Sequence, residues 1–163
     1  MKNVLLIDDD LLCLAALAFA LDEAGYNVSP KMDAESAAAV LRENVSIDLI
    51  IIDYQMPGID GLSFMPLLKE LRPSVPVIVL SRQASVNDYI KFMSLGAFEY
   101  LNKPVRACEL IRIVKVALER RLGHDHVYMR ERQSPLETTF SNRGKVSGSH
   151  ADYGENAIFA SSP

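Results

Sequence analysis

The chain has only two cysteines, Cys13 and Cys108, in 163 residues. They are too few and too far apart for a disulfide framework or a cysteine-based metal site, and each lies in an apolar stretch expected to be helical. Both are therefore expected to be small buried hydrophobes in a reducing compartment. A basic surplus is also missing: 17 lysines and arginines face 21 aspartates and glutamates, for a formal net charge of -4. This balance argues against nucleic acid as the main partner. Long apolar runs are absent too. The longest, Leu11 to Leu21, is eleven residues, against roughly 20 for a spanning helix. Asp8, Asp9 and Asp10 precede it where a secretory peptide needs positive charge. No membrane partner is expected, and a cytoplasmic location is. The dinucleotide-binding pattern G-x-G-x-x-G does not occur either, which removes a Rossmann dehydrogenase.

What is present divides near residue 122. Sixty-eight of the first 122 residues are apolar, against 12 of the last 41. So little apolar surface does not offset the entropy of ordering, so residues 123–163 are expected to be a disordered tail. They are also too few for a helix-turn-helix or cyclase output domain.

Residues 1–122 alternate short apolar runs with helical periods. Strands are expected at Val4–Ile7, Tyr26–Ser29, Leu49–Ile52, Pro76–Leu80 and Phe98–Leu101. Helices are expected at Leu11–Ala24, capped by Asp10 and ended by Gly25, and at Asp33–Glu43, Leu62–Leu71, Ser85–Leu95 and Pro104–Arg121. Five such units imply a parallel sheet covered by helices on both faces.

Four of these strands run into polar residues: Asp8 and Asp9, Asp53, Ser81, and Asn102 with Lys103. In an open parallel sheet, ligands bind outside the carboxyl ends of the strands. Three carboxylates gathered there repel one another by about 1–4 kcal/mol per pair and call for a cation. Carboxylate and carbonyl oxygens suit Mg²⁺, which keeps several waters and bridges to phosphate. Lys103 adds a positive charge for an anion beside the metal, and Ser81 a hydrogen bond to a phosphoryl oxygen. Together these groups can make one aspartate a nucleophile toward phosphorus.

The same residues carry a resemblance. The motifs are Asp8-Asp9 after the first strand, the run Asp53-Tyr54-Gln55-Met56-Pro57-Gly58-Ile59-Asp60-Gly61 after the third, Ser81 after the fourth, and Leu95-Gly96-Ala97-Phe98-Glu99-Tyr100-Leu101-Asn102-Lys103-Pro104. In order and spacing, over roughly residues 2–120, the chain resembles the receiver domains of two-component response regulators. The resemblance implies a flavodoxin-like, doubly wound α/β fold with strand order 2-1-3-4-5. It implies Asp53 as phosphoacceptor, Mg²⁺ held by Asp8, Asp9, Asp53 and the Gln55 backbone carbonyl, and catalytic assistance from Lys103 and Ser81. Ser81 and Tyr100 would be switch residues, with Ser81 drawn to the phosphoryl group and Tyr100 turning inward. The surface around Tyr89, Phe92 and Arg106 would then reorganise. The bond before Pro104 is expected to be cis. The implied donor is a histidine kinase or histidine phosphotransfer protein, with a downstream effector protein that the sequence does not name. Such a domain is a signalling acceptor and not an enzyme.

Other readings fit less of the chain. An FMN-binding flavodoxin needs a Ser/Thr/Gly-rich loop where three aspartates stand, and an Asp-x-Asp phosphatase reading of Asp8 and Asp10 leaves Asp53 unexplained. The alternative of a different class is a receiver-fold interaction module that acts without phosphorylation. Two departures from the family pattern stand out. Arg82 follows Ser81 where a small residue is usual, so a guanidinium either hinders the phosphodonor or contacts the phosphate. The first helix is expected to place Cys13, Ala16, Leu17, Ala20 and Leu21 on the sheet, leaving Leu12, Ala15 and Phe19 outward. Charged residues are usual there, so Leu12 and Phe19 are expected to dock the phosphodonor.

Overall fold

The computed structural model describes residues 1–43, 46–56, 59–83 and 85–122. The expected tail, 123–163, and the Pro57–Gly58 turn lie outside the described residues. The central sheet has five parallel strands: β1 (Asn3–Ile7), β2 (Asn27–Lys31), β3 (Leu49–Asp53), β4 (Val77–Ser81) and β5 (Glu99–Asn102). Their order is β2-β1-β3-β4-β5, the doubly wound order expected. Five helices connect and flank them: α1 (Leu11–Glu23), α2 (Ala34–Arg42), α3 (Gly61–Leu71), α4 (Val86–Ser94) and α5 (Ala107–Leu122).

Continuous apolar sequence explains the three inner strands. Val4–Ile7, Leu49–Ile52 and Val77–Leu80 are buried on both faces, as a sheet with helices on each side requires. Alternate residues feed two separate cores. Leu5, Ile7, Ile50, Ile52, Val77 and Val79 pack with side chains of α2, α3 and α4. Val4, Leu6, Leu49, Ile51, Ile78 and Leu80 pack with α1 and α5. Each fully buried aliphatic side chain contributes roughly 1.5–3 kcal/mol relative to exposure. Pro30 sits in β2 at the sheet edge, where a missing N–H breaks no ladder.

Polar side chains set the helix starts. Asp10 accepts from the N–H groups of Leu12 and Cys13 at 3.0 and 3.2 Å, Asp33 from Ser36 at 2.7 Å and Ser85 from Asp88 at 3.3 Å. Gly25 and Gly96 follow the ends of α1 and α4 with φ of 86° and 84°, left-handed values that favour glycine.

Several expectations are corrected. Residue 14, not residue 16, faces the sheet from α1: Leu14, Leu17 and Leu21 are buried, Cys13 and Ala18 pack beside them, and Ala16 is exposed. Every residue from 11 to 21 is apolar, so no polar face was available to fix the helical phase. Pro104 does not open the last helix. It follows a cis peptide bond with Lys103, and α5 begins at Ala107. Strands β2, β4 and β5 begin one residue later than expected and end one or two later. A two-residue antiparallel ladder, Gln55–Met56 with Ile59–Asp60, brackets the turn after β3. Cys108 is exposed and Cys13 half-buried.

Candidate functional site at the carboxyl edge of the sheet

The chain runs outward from β1 to β2 and then crosses back to β3, so β1 and β3 are neighbours whose connections leave in opposite directions. Their carboxyl ends form the crevice in which this fold binds ligands. Asp8 follows β1, Asp53 closes β3, and both are fully buried. One oxygen of each is held by local backbone: Asp8 Oδ1 accepts from the Asp10 N–H at 3.0 Å, and Asp53 Oδ1 from the Gln55 N–H at 3.1 Å. The other oxygen of each accepts from Lys103 Nζ, at 2.6 Å for Asp8 and 2.7 Å for Asp53. Three elements distant in sequence thus meet on one ammonium.

Burial works against the charge on Lys103, but its hydrogen bonds to Asp53 and Asp8 and their charges outweigh it, so its pKa lies above the ordinary lysine value. The Cys13 thiol is pushed up to about 11, first by burial and then by the adjacent Asp8 carboxylate.

Asp9 is half-buried and completes the cluster. Carboxylate oxygens of Asp8, Asp9 and Asp53 all lie within 4.8 Å of one another. Asp9 Oδ1 is buried and has no hydrogen-bond partner. The Arg82 guanidinium stands nearby, 3.6 Å from Asp9 Oδ1 and 3.8 Å from Asp53 Oδ2. Three carboxylates, one with an unsatisfied buried oxygen, form a hard-oxygen donor set that fits Mg²⁺.

Ser81 closes β4 and is buried beside this cluster's edge of the sheet, but its hydroxyl is taken up by its own loop. It donates to the Gln83 carbonyl at 3.0 Å and accepts from the Gln83 N–H at 3.1 Å. The Tyr100 hydroxyl donates to that same carbonyl at 2.9 Å. Tyr100 is already buried, packed edge-on to Tyr89 and tilted against Phe92. In this structure the Tyr100 ring already lies inward. Phe92 is fully buried core, while Tyr89 is half-buried and Arg106 exposed. On α1, the helix that follows the acidic pair, Leu12 and Phe19 are 82% and 68% exposed.

Sequence reasoning located the acids, the lysine, Ser81 and Tyr100. It missed the Gln83 carbonyl, because a backbone acceptor carries no side-chain signature. It also missed the approach of Cys13 to Asp8, since placing Cys13 on the sheet side of α1 does not say which side chain it meets.

A doubly wound five-stranded sheet with an acidic cluster and a lysine at its carboxyl edge defines a class of small flavodoxin-like signalling folds. Comparison with known proteins makes the assignment particular. The family model for the response regulator receiver domain matches residues 4–115, and the chain belongs to that family. The transcriptional regulatory protein PrrA of Mycobacterium tuberculosis is 39% identical over 119 residues, covering 73% of this chain and 51% of PrrA. The chain thus spans about half the length of that curated relative. Among solved structures, a response regulator receiver domain from Clostridium thermocellum superposes with a TM-score of 0.71 at 32% identity, covering 75% of this chain and 98% of that one. A CheY-like receiver domain from Methanospirillum hungatei gives 0.71 at 27% identity, covering 75% and 97%.

Proposed function

We infer that this chain is the phosphoacceptor of a two-component relay. A phosphoryl group passes from a phosphohistidine of a histidine kinase or phosphotransfer protein to Asp53. The observation that carries this reading is the convergence of buried Asp8, Asp53 and Lys103 with Asp9 at one sheet edge. In the transfer a carboxylate oxygen of Asp53 bonds to phosphorus as the phosphorus–nitrogen bond to the donor imidazole breaks. Asp8, Asp9, Asp53 and the Gln55 carbonyl would hold Mg²⁺, which would supply charge neutralisation for the phosphoryl oxygens. Lys103 adds a fixed ammonium to the same charge. The protein accepts one phosphoryl group and carries it; turnover is not its role.

Switching then centres on Ser81. A phosphoryl oxygen on Asp53 competes for the Ser81 hydroxyl, which leaves the Gln83 carbonyl to Tyr100 alone. The loop after β4 is thereby biased, and with it the surface of α4, β5 and α5 offered to an effector. Tyr100 acts here by what its hydroxyl holds, since its ring is already inside. On α1, the exposed Leu12 and Phe19 are the proposed contact with the phosphodonor, on the face opposite the buried stripe.

The test is covalent labelling with acetyl phosphate and Mg²⁺, followed by intact mass. The wild type is expected to gain one phosphoryl group and Asp53→Ala none, with exposed Asp22→Ala labelled normally. Persistent labelling of Asp53→Ala overturns the assignment. A wild type that never labels, from acetyl phosphate or a kinase, favours an interaction module of this fold.

A further inference from the structure

Two cations face the acidic cluster, and they are held very differently. Lys103 is buried and makes two short hydrogen bonds. Arg82 is half-exposed, and its ion pairs with Asp9 and Asp53 are 3.6 and 3.8 Å long, beyond hydrogen-bond distance. Among the described residues, Asp9 Oδ1 consequently has a counter-charge near it but no hydrogen bond. A buried carboxylate oxygen in that state is costly, and the cost falls when a better-placed cation arrives. The guanidinium is tied to the site only through its own backbone, directly after Ser81 at the end of β4. It therefore acts at high effective concentration, and it cannot diffuse away.

We propose that Arg82 is a tethered competitor for the divalent cation: it neutralises Asp9 and Asp53 in the metal-free protein and must give up Asp9 when Mg²⁺ binds. The metal affinity is then set below what three carboxylates and Lys103 alone provide. Arg82 is a positioning residue that makes occupancy of the site depend on the prevailing Mg²⁺ concentration. This inference rests on the reading of the cluster as a Mg²⁺ site.

The test is a calorimetric titration of the full chain with MgCl₂ alone, for wild type, Arg82→Gln and Arg82→Lys, with folding checked by circular dichroism. Arg82→Gln is expected to bind Mg²⁺ roughly tenfold more tightly, the scale of one lost charge interaction at a partly exposed site. Arg82→Lys, which keeps the charge but loses the planar fork, is expected to fall between. In Arg82→Gln the metal-free protein is also expected to melt at a lower temperature, with Mg²⁺ restoring more of its stability than in wild type. Tighter binding with no detectable binding in wild type supports the proposal equally. Equal or weaker binding in Arg82→Gln, with wild type binding Mg²⁺, overturns the proposal and leaves the metal reading intact. Absence of Mg²⁺ binding in all three proteins overturns both.

Discussion

Asp9 illustrates a side chain whose position is unfavourable for folding alone. Its Oδ1 is buried without a hydrogen bond, close to two other carboxylates. Replacing it with asparagine removes one like charge and keeps the shape. Asp9→Asn is expected to raise the metal-free stability by about 1 kcal/mol, read as an increased urea midpoint, and to abolish the stabilisation by Mg²⁺. Lys103 shows the opposite dependence. Without its ammonium, Asp8 and Asp53 face each other buried with only the longer, half-exposed Arg82 contact to Asp53 left, and breaking a buried pair costs about 3–5 kcal/mol. Lys103→Met is thus expected to lose stability at neutral pH. Because the folded-state pKa of Lys103 is raised above 10.5, its contribution is complete below that value and is lost only as pH rises through the folded-state pKa. The difference between wild type and Lys103→Met should therefore be flat through neutral pH and shrink in strong alkali, as urea titrations across pH will show. Asp9 was legible in the sequence because it stands just past an unbroken apolar run, and Lys103 because it follows the last strand in the run Leu95–Pro104. The Gln83 carbonyl was not, since any residue supplies one.

Helix α1 shows what pattern alone can and cannot decide. Its existence and start were plain from Asp10 and the apolar run, and its outward residues Leu12 and Phe19 were correctly placed. Its inward stripe was right at Leu17 and Leu21 but not at Ala16, because burial of Leu14 instead is decided by packing against Val4, Leu6 and α5. Two substitutions separate the faces. Leu14→Ala is expected to cost about 2–5 kcal/mol in urea unfolding. Phe19→Asp is expected to stay within about 0.5 kcal/mol, to label normally with acetyl phosphate, and to accept phosphate more slowly from its kinase. A kinase transfer rate equal to wild type would remove α1 from the docking surface. At the other end of the domain the boundary of α5 was misread at Pro104. Proline is a common first helical residue, but here it sits in the connection that lets Lys103 reach the acids.

For the molecule as a whole, the parallel sheet and both helical layers followed from five alternating units and the handedness of parallel crossovers, whereas the strand order followed only from the family resemblance. Among the described residues the two hydrophobic cores run as far as Leu118, and residues 123–163, poor in apolar side chains, are expected to be dispensable for folding. A chain ending at residue 122 should melt within a few degrees of the full chain and label at Asp53 at the same rate; a large loss of stability would mean that the tail packs on the domain. The two short antiparallel strands after β3 escaped sequence reading because two residues are too few to show any period.

The sheet that separates the two cores also separates the molecule's histories of change. Among the described residues, side chains under α1 and α5 share no cluster with those under α2, α3 and α4. A substitution that retunes the face offered by α1 leaves the packing around Tyr89, Phe92 and Tyr100 undisturbed, and the reverse holds. A change on the α1 face can therefore be absorbed without repacking the α4 side of the sheet, whereas α5, whose side chains share the α1 core, ties the two faces together.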